Sequence, residues 1–326
     1  MDDVLAALRA ARSIALVSHR DPDPDTIGSA VAVGLALEGL GKTVSYHCAD
    51  PVPEGIRFLA RTDRFTTEPP PADVDLMLTV DFGDAARAKF PLPVGVPVVN
   101  VDHHATNAGF GDAGLASLVD VSSAATGELI SRVIDGLGAT WTPEMATAAL
   151  VAIMTDTGSF QFPNTDSRAL MRAARLRELG ADLQAITYNI FRNKRFEALK
   201  LTGIALTRLV REDGGELVWT WADREDVLST GAREEDMSGL VQQIARSAGM
   251  RLSLLFTTTQ PGSLKVSCRT SESPPSVDAS ALMASFGGGG HRRAAGALIV
   301  GDPAEIRERV LSAARLALAE ARDTRH

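Results

Sequence analysis

The alternation of strand-like and helix-like segments in the first half of the chain constrains the fold most. Short runs rich in β-branched residues are interleaved with longer runs of helical periodicity. Parallel strands need long crossover connections, which helices usually supply, so this alternation predicts an α/β fold. We expect a parallel sheet with helices on both faces, with strands at 13–18, 43–48, 75–80 and 97–101 and helices at 26–39, 123–135 and 143–155.

The rest of the chain predicts a second, smaller α/β domain, and a length of 326 residues is ample for two domains. Residues 182–212 have a helical pattern with a basic patch. Strand and helix patterns follow, including a helix over 236–249 and a last helix with Asp302 as N-cap and Pro303 at its first position. The predicted division is a first domain at 1–185, a helical linker at 186–212 and a second domain at 213–326.

Composition excludes several classes of protein. Cys48 and Cys268 stand in no metal-ligand spacing, which argues against a disulfide framework or a zinc ribbon and favours a reducing cytoplasm. No apolar run approaches the roughly 20 residues of a membrane span, and the acidic start "MDDVLAAL" lacks the basic region of a signal peptide. A net charge of -8 argues against a nonspecific grip on long nucleic acid.

Acidic and imidazole side chains cluster where predicted elements end. They follow the first, third and fourth predicted strands and the helix-like run "MATAALVAIMT". Ligands of open α/β sheets bind beyond the carboxyl ends of the strands, so these positions are expected to share one site. The clusters are His19 to Asp25, Asp81, Asp102-His103-His104 and Asp156.

The stretch "VSHRDPDPDTIGSA" allows two interpretations on its own. Asp25 could cap a helix after an Asx-Pro turn. Alternatively, His19, Asp23 and Asp25 could surround a divalent cation, which would offset carboxylates that otherwise repel one another. Oxygen-rich ligands with some imidazole suit Mn²⁺ or Mg²⁺. The partner clusters on three other segments favour the cation.

These motifs together resemble the DHH family of phosphoesterases. They occur in order as "SHRDPDPDTIGS", "LTVDFGD", "VNVDHH" and "MTDTGSF". Further on, "SCRTS" and "GGGGHRRAAG" resemble the nucleotide-binding subdomain called DHHA1, so the resemblance covers nearly the whole chain. Two positions depart from the family pattern: Asp21 stands where Asn is common, and Pro24 where Gly is common.

The resemblance implies a role for each residue of the predicted site. His104 would face the scissile phosphate, and Asp102 would orient an imidazole that binds a metal. Two divalent metal ions, preferably Mn²⁺ with Mg²⁺ as the alternative, would promote hydrolysis of a phosphate ester by activating a water and offsetting the charge on the reacting oxygens. One metal would be bound by His19 and Asp23, the other by Asp25, His103 and Asp156, with Asp81 bridging them.

The second domain is expected to select the substrate. Without the resemblance, the glycine run could be only a flexible loop and an arginine on a strand could be solvated. With it, Arg269 and His291 are expected to hold a terminal phosphate or a nearby base, and Arg168 is a weaker candidate for the same role. Gly288, Gly289 and Gly290 would let the backbone approach the phosphate oxygens.

Within the family, this chain resembles bacterial nanoRNases. Exonucleases of the RecJ type carry additional domains, family II pyrophosphatases carry a different second domain, and membrane-tethered cyclic-dinucleotide phosphodiesterases carry transmembrane regions. The expected activity is hydrolysis of very short RNA to mononucleotides and dephosphorylation of 3'-phosphoadenosine 5'-phosphate (pAp). Alternatives are a phosphodiesterase for linear or cyclic diadenylate and a non-catalytic nucleotide-binding module. Activity on short DNA and a homodimeric state are left open.

Overall fold

The computed structural model describes residues 1–237, 239–258, 262–271 and 277–323, apart from the side chains of Glu234, Glu235 and His291. The chain forms two compact units, Met1–Asn193 and Lys194–His326. The boundary between them falls inside the segment predicted as a linker, and the three-part division stays a prediction. In the described ranges, no helix combines the length and the apolar composition that crossing a bilayer requires.

The first unit is built on a six-stranded sheet in which every neighbouring pair is parallel. Its strands are β1 (Ser13–Ser18), β2 (Thr43–His47), β3 (Phe65–Thr66), β4 (Leu76–Val80), β5 (Val98–Asp102) and β6 (Gly114–Val119). They lie in the order β3-β2-β1-β4-β5-β6. The strands β1, β4 and β5 are therefore neighbours at the centre of the sheet. The parallel sheet expected from the alternating pattern is confirmed.

The longer helices of this unit pack into one large core with one face of the sheet, which includes Ile14, Leu16 and Leu78. The opposite face is covered differently: Val17 packs with Phe82 and Ala88 from the segment after β4, which contains the short 3-10 helix Ala85–Ala88. The helices are α1 (Asp2–Ala10), α2 (Pro24–Gly39), α3 (Thr126–Leu137), α4 (Pro143–Asp156), α5 (Ser167–Glu178) and α6 (Leu183–Ile186), and α6 continues into a π-helical segment, Thr187–Arg192.

The second unit contains a mixed six-stranded sheet. In it β8 and β9 are parallel and the other pairs are antiparallel, in the order β11-β12-β10-β9-β8-β7. Its strands are β7 (Val210–Glu212), β8 (Leu217–Asp223), β9 (Leu252–Thr258), β10 (Ser263–Thr270), β11 (Gly289–His291) and β12 (Ala294–Val300). Its helices are α7 (Phe196–Thr207), α8 (Arg224–Thr230), α9 (Leu240–Ile244), α10 (Ala279–Ala284) and α11 (Pro303–Asp323).

Two predicted elements of this unit differ from the structure. The helix predicted over 236–249 is wrong as one element, because the described residues there form a 3-10 turn at Glu234–Met237 and the five-residue α9. Gly239 separates them with a positive φ of 92°, which a continuing α-helix does not tolerate. The helical pattern over 182–212 ends early, since α7 stops at Thr207 and β7 follows. Asp302 and Pro303 lie where predicted, and Asp302 accepts hydrogen bonds from the first turn of α11.

Candidate metal centre

The carboxyl ends of β1, β4 and β5 bring together three of the predicted segments. His19 follows β1, Asp81 follows β4, and Asp102 ends β5. These strands are adjacent and parallel, so residues distant in the sequence meet at one edge of the sheet. Asp81 has a positive φ of 71°, a left-handed conformation that costs a non-glycine residue of order 1 kcal/mol and that often marks functional sites.

His19, Asp23 and Asp81 form the first group of ligand-type side chains. His19 Nε2 lies 3.7 Å from Asp23 Oδ2 and 3.4 Å from Asp81 Oδ2. Asp23 also accepts hydrogen bonds from the backbone of Asp25 and Thr26, because it is the N-cap of α2. Its two carboxylate oxygens are thus divided: Oδ1 fixes the start of the helix, and Oδ2 faces His19. The capping residue is Asp23 rather than Asp25, which was the candidate in the turn interpretation.

Asp25, His103 and Asp156 form the second group, and Asp81 also borders it. His103 Nε2 lies 3.4 Å from Asp156 Oδ2, 3.9 Å from Asp25 Oδ2 and 3.7 Å from Asp81 Oδ1. In each group the candidate ligand atoms lie within 4.8 Å of one another. Asp81 therefore directs one carboxylate oxygen to each group, and a third set of Asp81, His103 and His104 overlaps them.

The carboxylates of this site need a counter-charge. Burial, reinforced by the charges of Asp81 and Asp156, raises the pKa of Asp25 well above its usual range. Burial also raises the pKa of Asp156 to about 7, although the charge of His103 opposes this. Negative charge is thus destabilised at both positions. Divalent cations would supply the missing compensation, as they do in other acidic sites.

The imidazoles of His19 and His103 are oriented as metal ligands usually are. His19 Nδ1 lies 2.7 Å from the carbonyl oxygen of Arg20, and His103 Nδ1 lies 3.2 Å from that of Ser123. Each Nδ1–H can therefore donate to a backbone carbonyl, which leaves Nε2 directed at the carboxylates. Burial acts to lower the pKa of His19, but Asp23 and Asp81 outweigh it and raise the pKa to about 10. A bound cation would take the place of that proton.

Asp102 forms a hydrogen-bonded pair with His104, whereas the predicted metal ligand His103 contacts Ser123 O instead, so the expected partner of Asp102 was wrong. His104 Nδ1 lies 2.7 Å from Asp102 Oδ1, and Asp102 Oδ2 accepts a 2.6 Å hydrogen bond from Asn107 Nδ2. Burial acts to lower the pKa of His104, but this bond and the charges of Asp81 and Asp102 raise it. Asn107 also donates to Asn100, which in turn donates to Phe82 O and Thr79 Oγ1. The network fixes the orientation of His104.

Residues at the start of α3 hold two of the carboxylates, and the sequence analysis missed them. The backbone N–H groups of Thr126 and Gly127 donate to the two oxygens of Asp25 at 2.8 and 3.0 Å, and Ser29 Oγ donates to Oδ1 at 3.1 Å. Thr126 Oγ1 donates to Asp81 Oδ1 at 2.7 Å. A Cβ on Gly127 would lie 2.4 Å from that of Ala152, so glycine allows α3 to approach α4 this closely. The only signal in the sequence was a Thr at a predicted helix start.

The two departures from the family pattern lie outside the ligand groups. Pro24 occupies the first turn of α2, where its fixed φ and missing N–H are tolerated. Asp21 is exposed, with a φ of 50°, and its backbone N–H donates to Asp50 Oδ2 at 2.9 Å. Pro24 therefore fits the helix start, and Asp21 changes the surface of the loop.

The substrate-binding residues predicted in the second unit lie on two strands. Arg269, on β10, is paired with Ala294 of β12, and its Nη1 donates to Cys268 O at 2.9 Å. Burial lowers the pKa of Arg269. Gly289 and Gly290 belong to β11, which Gly288 precedes, and a Cβ on Gly288 would lie 2.2 Å from Gly296 O. The backbone of His291 ends β11, and its side chain lies outside the described part of the chain.

Arg168 lies in the first unit and is engaged by its neighbours. Its Nε donates to Asp166 Oδ2 at 2.6 Å, and its Nη2 donates to Ser122 O at 2.6 Å. Its side chain is 47% exposed, so it remains accessible despite these contacts. The substrate-binding role given to Arg168 remains a prediction.

Comparisons with known proteins agree with this architecture. A model of the DHH family, N-terminal domain, matches residues 13–153, and a model of the DHHA1 domain matches residues 224–320. A Thermus thermophilus protein named bifunctional oligoribonuclease and PAP phosphatase NrnA is 37% identical over 318 residues, covering 94% of this chain and 91% of that protein. The Bacillus subtilis protein of the same name is 26% identical over 292 residues, covering 88% and 89%.

A solved structure shares the fold over nearly the whole chain. An exopolyphosphatase-related protein from Bacteroides fragilis superposes with a TM-score of 0.86, covering 98% of this chain and 95% of that one. Its sequence identity is 20%, so the likeness concerns the fold.

Proposed function

Because the chain belongs to the DHH family and carries a DHHA1 domain, we propose that it is a metal-dependent phosphoesterase that hydrolyses very short RNA to nucleoside monophosphates and dephosphorylates pAp. The names of its relatives from Thermus thermophilus and Bacillus subtilis support this choice of substrates. The observation that carries the proposal is the pair of ligand groups that share Asp81. A cytoplasmic location, activity on short DNA and a homodimeric state remain predictions.

The geometry supports the division of ligands that the sequence predicted. His19 and Asp23 would hold one divalent ion, and Asp25, His103 and Asp156 the other, with Asp81 shared between them. When bound, such a pair of ions activates water for attack on phosphorus and offsets negative charge on the reacting oxygens. The oxygen-rich ligand set favours Mn²⁺ or Mg²⁺ over a thiolate-binding metal.

The residues of the chain supply orientation and proton handling around that chemistry. Thr126 and Gly127 hold Asp25, and Asp102 holds His104 through Nδ1. The bond to Asp102 raises the pKa of His104 and so favours the protonated imidazole, whose positive charge attracts a phosphate oxygen. His104 is accordingly proposed to face the scissile phosphate.

The second unit is proposed to bind the rest of the substrate. Arg269 carries a planar guanidinium suited to two hydrogen bonds with one phosphate group. Its backbone lies in β10, which pairs with β12 on one side and β9 on the other, so the sheet fixes the point from which the side chain extends. Gly289, His291 and the neighbouring glycines of the β11 segment complete the proposed substrate-binding residues.

A substrate panel tests the proposal. The purified protein is stripped with a chelator, reloaded with Mn²⁺ or Mg²⁺, and offered pAp, RNA and DNA of two to five nucleotides, diadenylate, pyrophosphate and long single-stranded DNA side by side. We expect the highest kcat/KM for short RNA and pAp, and no turnover by the stripped protein. A preference for pyrophosphate or long DNA would contradict the proposal, and a preference for diadenylate would favour the alternative phosphodiesterase.

A further inference from the structure

Arg87 is a half-buried arginine whose guanidinium has no hydrogen-bond or ion-pair partner among the described residues. The other half-buried arginines of the first unit, Arg61 and Arg172, donate to Glu38 and Asp135 at 2.9 and 2.6 Å. The buried side-chain nitrogens and oxygens that lack a partner do not include any atom of Arg87, so its guanidinium stays in contact with solvent. Arg87 is therefore open to an anion that arrives from solution.

The backbone around Arg87 is fixed next to the proposed metal ligands. Arg87 lies in the 3-10 helix Ala85–Ala88, shortly after Asp81, and Asp84 caps this helix. Its carbonyl oxygen accepts a 2.7 Å hydrogen bond from the backbone N–H of Arg20, the residue that follows His19. The turn that carries Arg87 is thus hydrogen-bonded to the loop of the first ligand group.

A second contact braces the same turn. Lys89 Nζ lies 2.6 Å from Asp50 Oδ1, while Asp50 Oδ2 accepts the backbone N–H of Asp21 at 2.9 Å. Asp50 therefore joins the turn after β4 to the loop after β1. Because both sides are held, the fold sets the position of the Arg87 backbone.

The charge of Arg87 acts on the site while no site carboxylate pairs with it. Its positive charge lowers the pKa of His104, opposing the larger effects of Asp102 and Asp81. Asp81 instead contacts His19, His103 and Thr126. An arginine whose backbone is held beside the first ligand group, and which no described carboxylate of the site pairs with, is suited to an anion brought in by the substrate.

We propose that Arg87 binds nonbridging oxygens of a substrate phosphate group beside the metal centre, as a second phosphate contact in addition to those proposed for the DHHA1 unit. The proposal rests on the proposed function for the identity of the substrate. Under this proposal the first unit contributes a phosphate-binding residue, Arg87, in addition to the proposed metal ligands.

The test compares Arg87→Gln, Arg87→Lys and Arg12→Gln with the wild type. Arg12→Gln is the matched control, because Arg12 is exposed, its side chain has no partner among the described residues, and it precedes the opposite end of β1. Two quantities are measured for each protein: KM and kcat for pAp and diribonucleotide with Mn²⁺, and the Kd of Mn²⁺ by calorimetry without substrate.

We expect Arg87→Gln to raise KM for both substrates at least tenfold, since a charge-assisted hydrogen bond contributes about 1.5–3 kcal/mol. Arg87→Lys should recover part of the loss, because lysine keeps the positive charge but lacks the planar guanidinium that donates two parallel hydrogen bonds. The Kd of Mn²⁺ should change less than about twofold.

An unchanged KM in Arg87→Gln, or an equal change in Arg12→Gln, would overturn the assignment. A weakened Mn²⁺ affinity that accounts for the whole loss would also overturn it, since Arg87 would then support the metal site. A wild type inactive on both substrates would instead contradict the proposed function.

Discussion

The hydroxyl of Thr126 donates a 2.7 Å hydrogen bond to Asp81 Oδ1, and the backbone N–H of the same residue donates to Asp25 at 2.8 Å. One residue at the start of a helix thereby fixes two carboxylates that come from different segments of the chain. Neither contact needs a bound ligand, so the carboxylates are ordered by the protein itself. The contribution of Thr126 to metal binding can therefore be measured as a change in Mn²⁺ affinity.

Replacing Thr126 with Val should weaken Mn²⁺ binding about tenfold or more. Residues that hydrogen-bond to a metal ligand commonly contribute about 10–100-fold to metal affinity. Val keeps the shape of the side chain but removes the hydroxyl, while the backbone contact with Asp25 remains. Calorimetric titration with Mn²⁺ measures the effect. Thr126→Ser is the control, because it retains the hydroxyl and should stay close to the wild type. Equal affinities for Val and Ser variants would contradict this role.

Metal content should distinguish a shared carboxylate from an unshared one. Asp81→Asn should reduce Mn²⁺ well below one ion per chain, because Asp81 directs an oxygen to each ligand group. Asp156→Asn should leave about one ion, since Asp156 contacts the His103 group alone. The measurement is elemental analysis after dialysis, with circular dichroism to verify folding. If both variants retained the same amount of metal, the sharing of Asp81 would be wrong.

Gly83 and Asn107 should show strong coupling in a double-mutant cycle. A Cβ on Gly83 would lie 1.9 Å from Asn107 Cγ, so Gly83→Ala must displace the side chain that donates to Asp102. Gly83→Ala and Asn107→Ala should each lower kcat, on the order of tenfold, through loss of His104 orientation. In the double variant the loss should be no greater than in Asn107→Ala alone. If the fold-decreases in kcat of the two single variants multiplied in the double variant, the two residues would act independently.

His47 should make the stability of the fold sensitive to mildly acidic pH. Burial lowers the pKa of His47 below its ordinary value of 6.5, and Nδ1 and Nε2 are satisfied by Glu68 O and Ser45 Oγ at 3.0 and 2.9 Å. Below pH 6.5 the unfolded chain binds a proton here that the folded chain does not, so the free energy of unfolding falls as pH decreases through that value. The decrease ends once the folded imidazole also becomes protonated.

Urea unfolding of the wild type and His47→Gln at pH 7.5 and 5.5 measures this contribution. We expect the wild type to lose up to about 1 kcal/mol more than the variant between the two pH values. Taking the difference between the proteins removes the contribution of the metal-site carboxylates, which both share. An identical pH dependence would show that His47 titrates alike in the folded and unfolded chains.

The proposed metal ligands could be predicted because each marks the end of an element. His19, Asp81 and His103 are local features of the sequence, and the parallel sheet that gathers them follows from the alternating pattern. Thr126 and Asn107 could not be found in this way. Their importance depends on which backbone or carboxylate lies opposite them after folding, and a Thr or Asn near a turn ordinarily serves as a cap.

The second unit shows a different limit of prediction. The apolar pattern over 236–249 predicts one helix, but Gly239 adopts a left-handed conformation and interrupts it before α9. Arg87 was missed for a related reason, since an isolated arginine in "DFGDAARAKF" gives no sign that it will be half-buried without a partner. In both cases the prediction failed because it depended on the conformation or surroundings of a single residue in the folded chain.

The positive φ of Asp81 costs folding free energy at a residue that the proposed metal site needs. Glycine at this position would relieve a backbone cost of order 1 kcal/mol and remove a buried carboxylate at the same time. Asp81→Gly would also lose the hydrogen bond from Thr126 and the contacts with His19 and His103, and these losses offset the backbone relief. The left-handed conformation is thus a cost that the fold carries together with a side chain that faces both ligand groups.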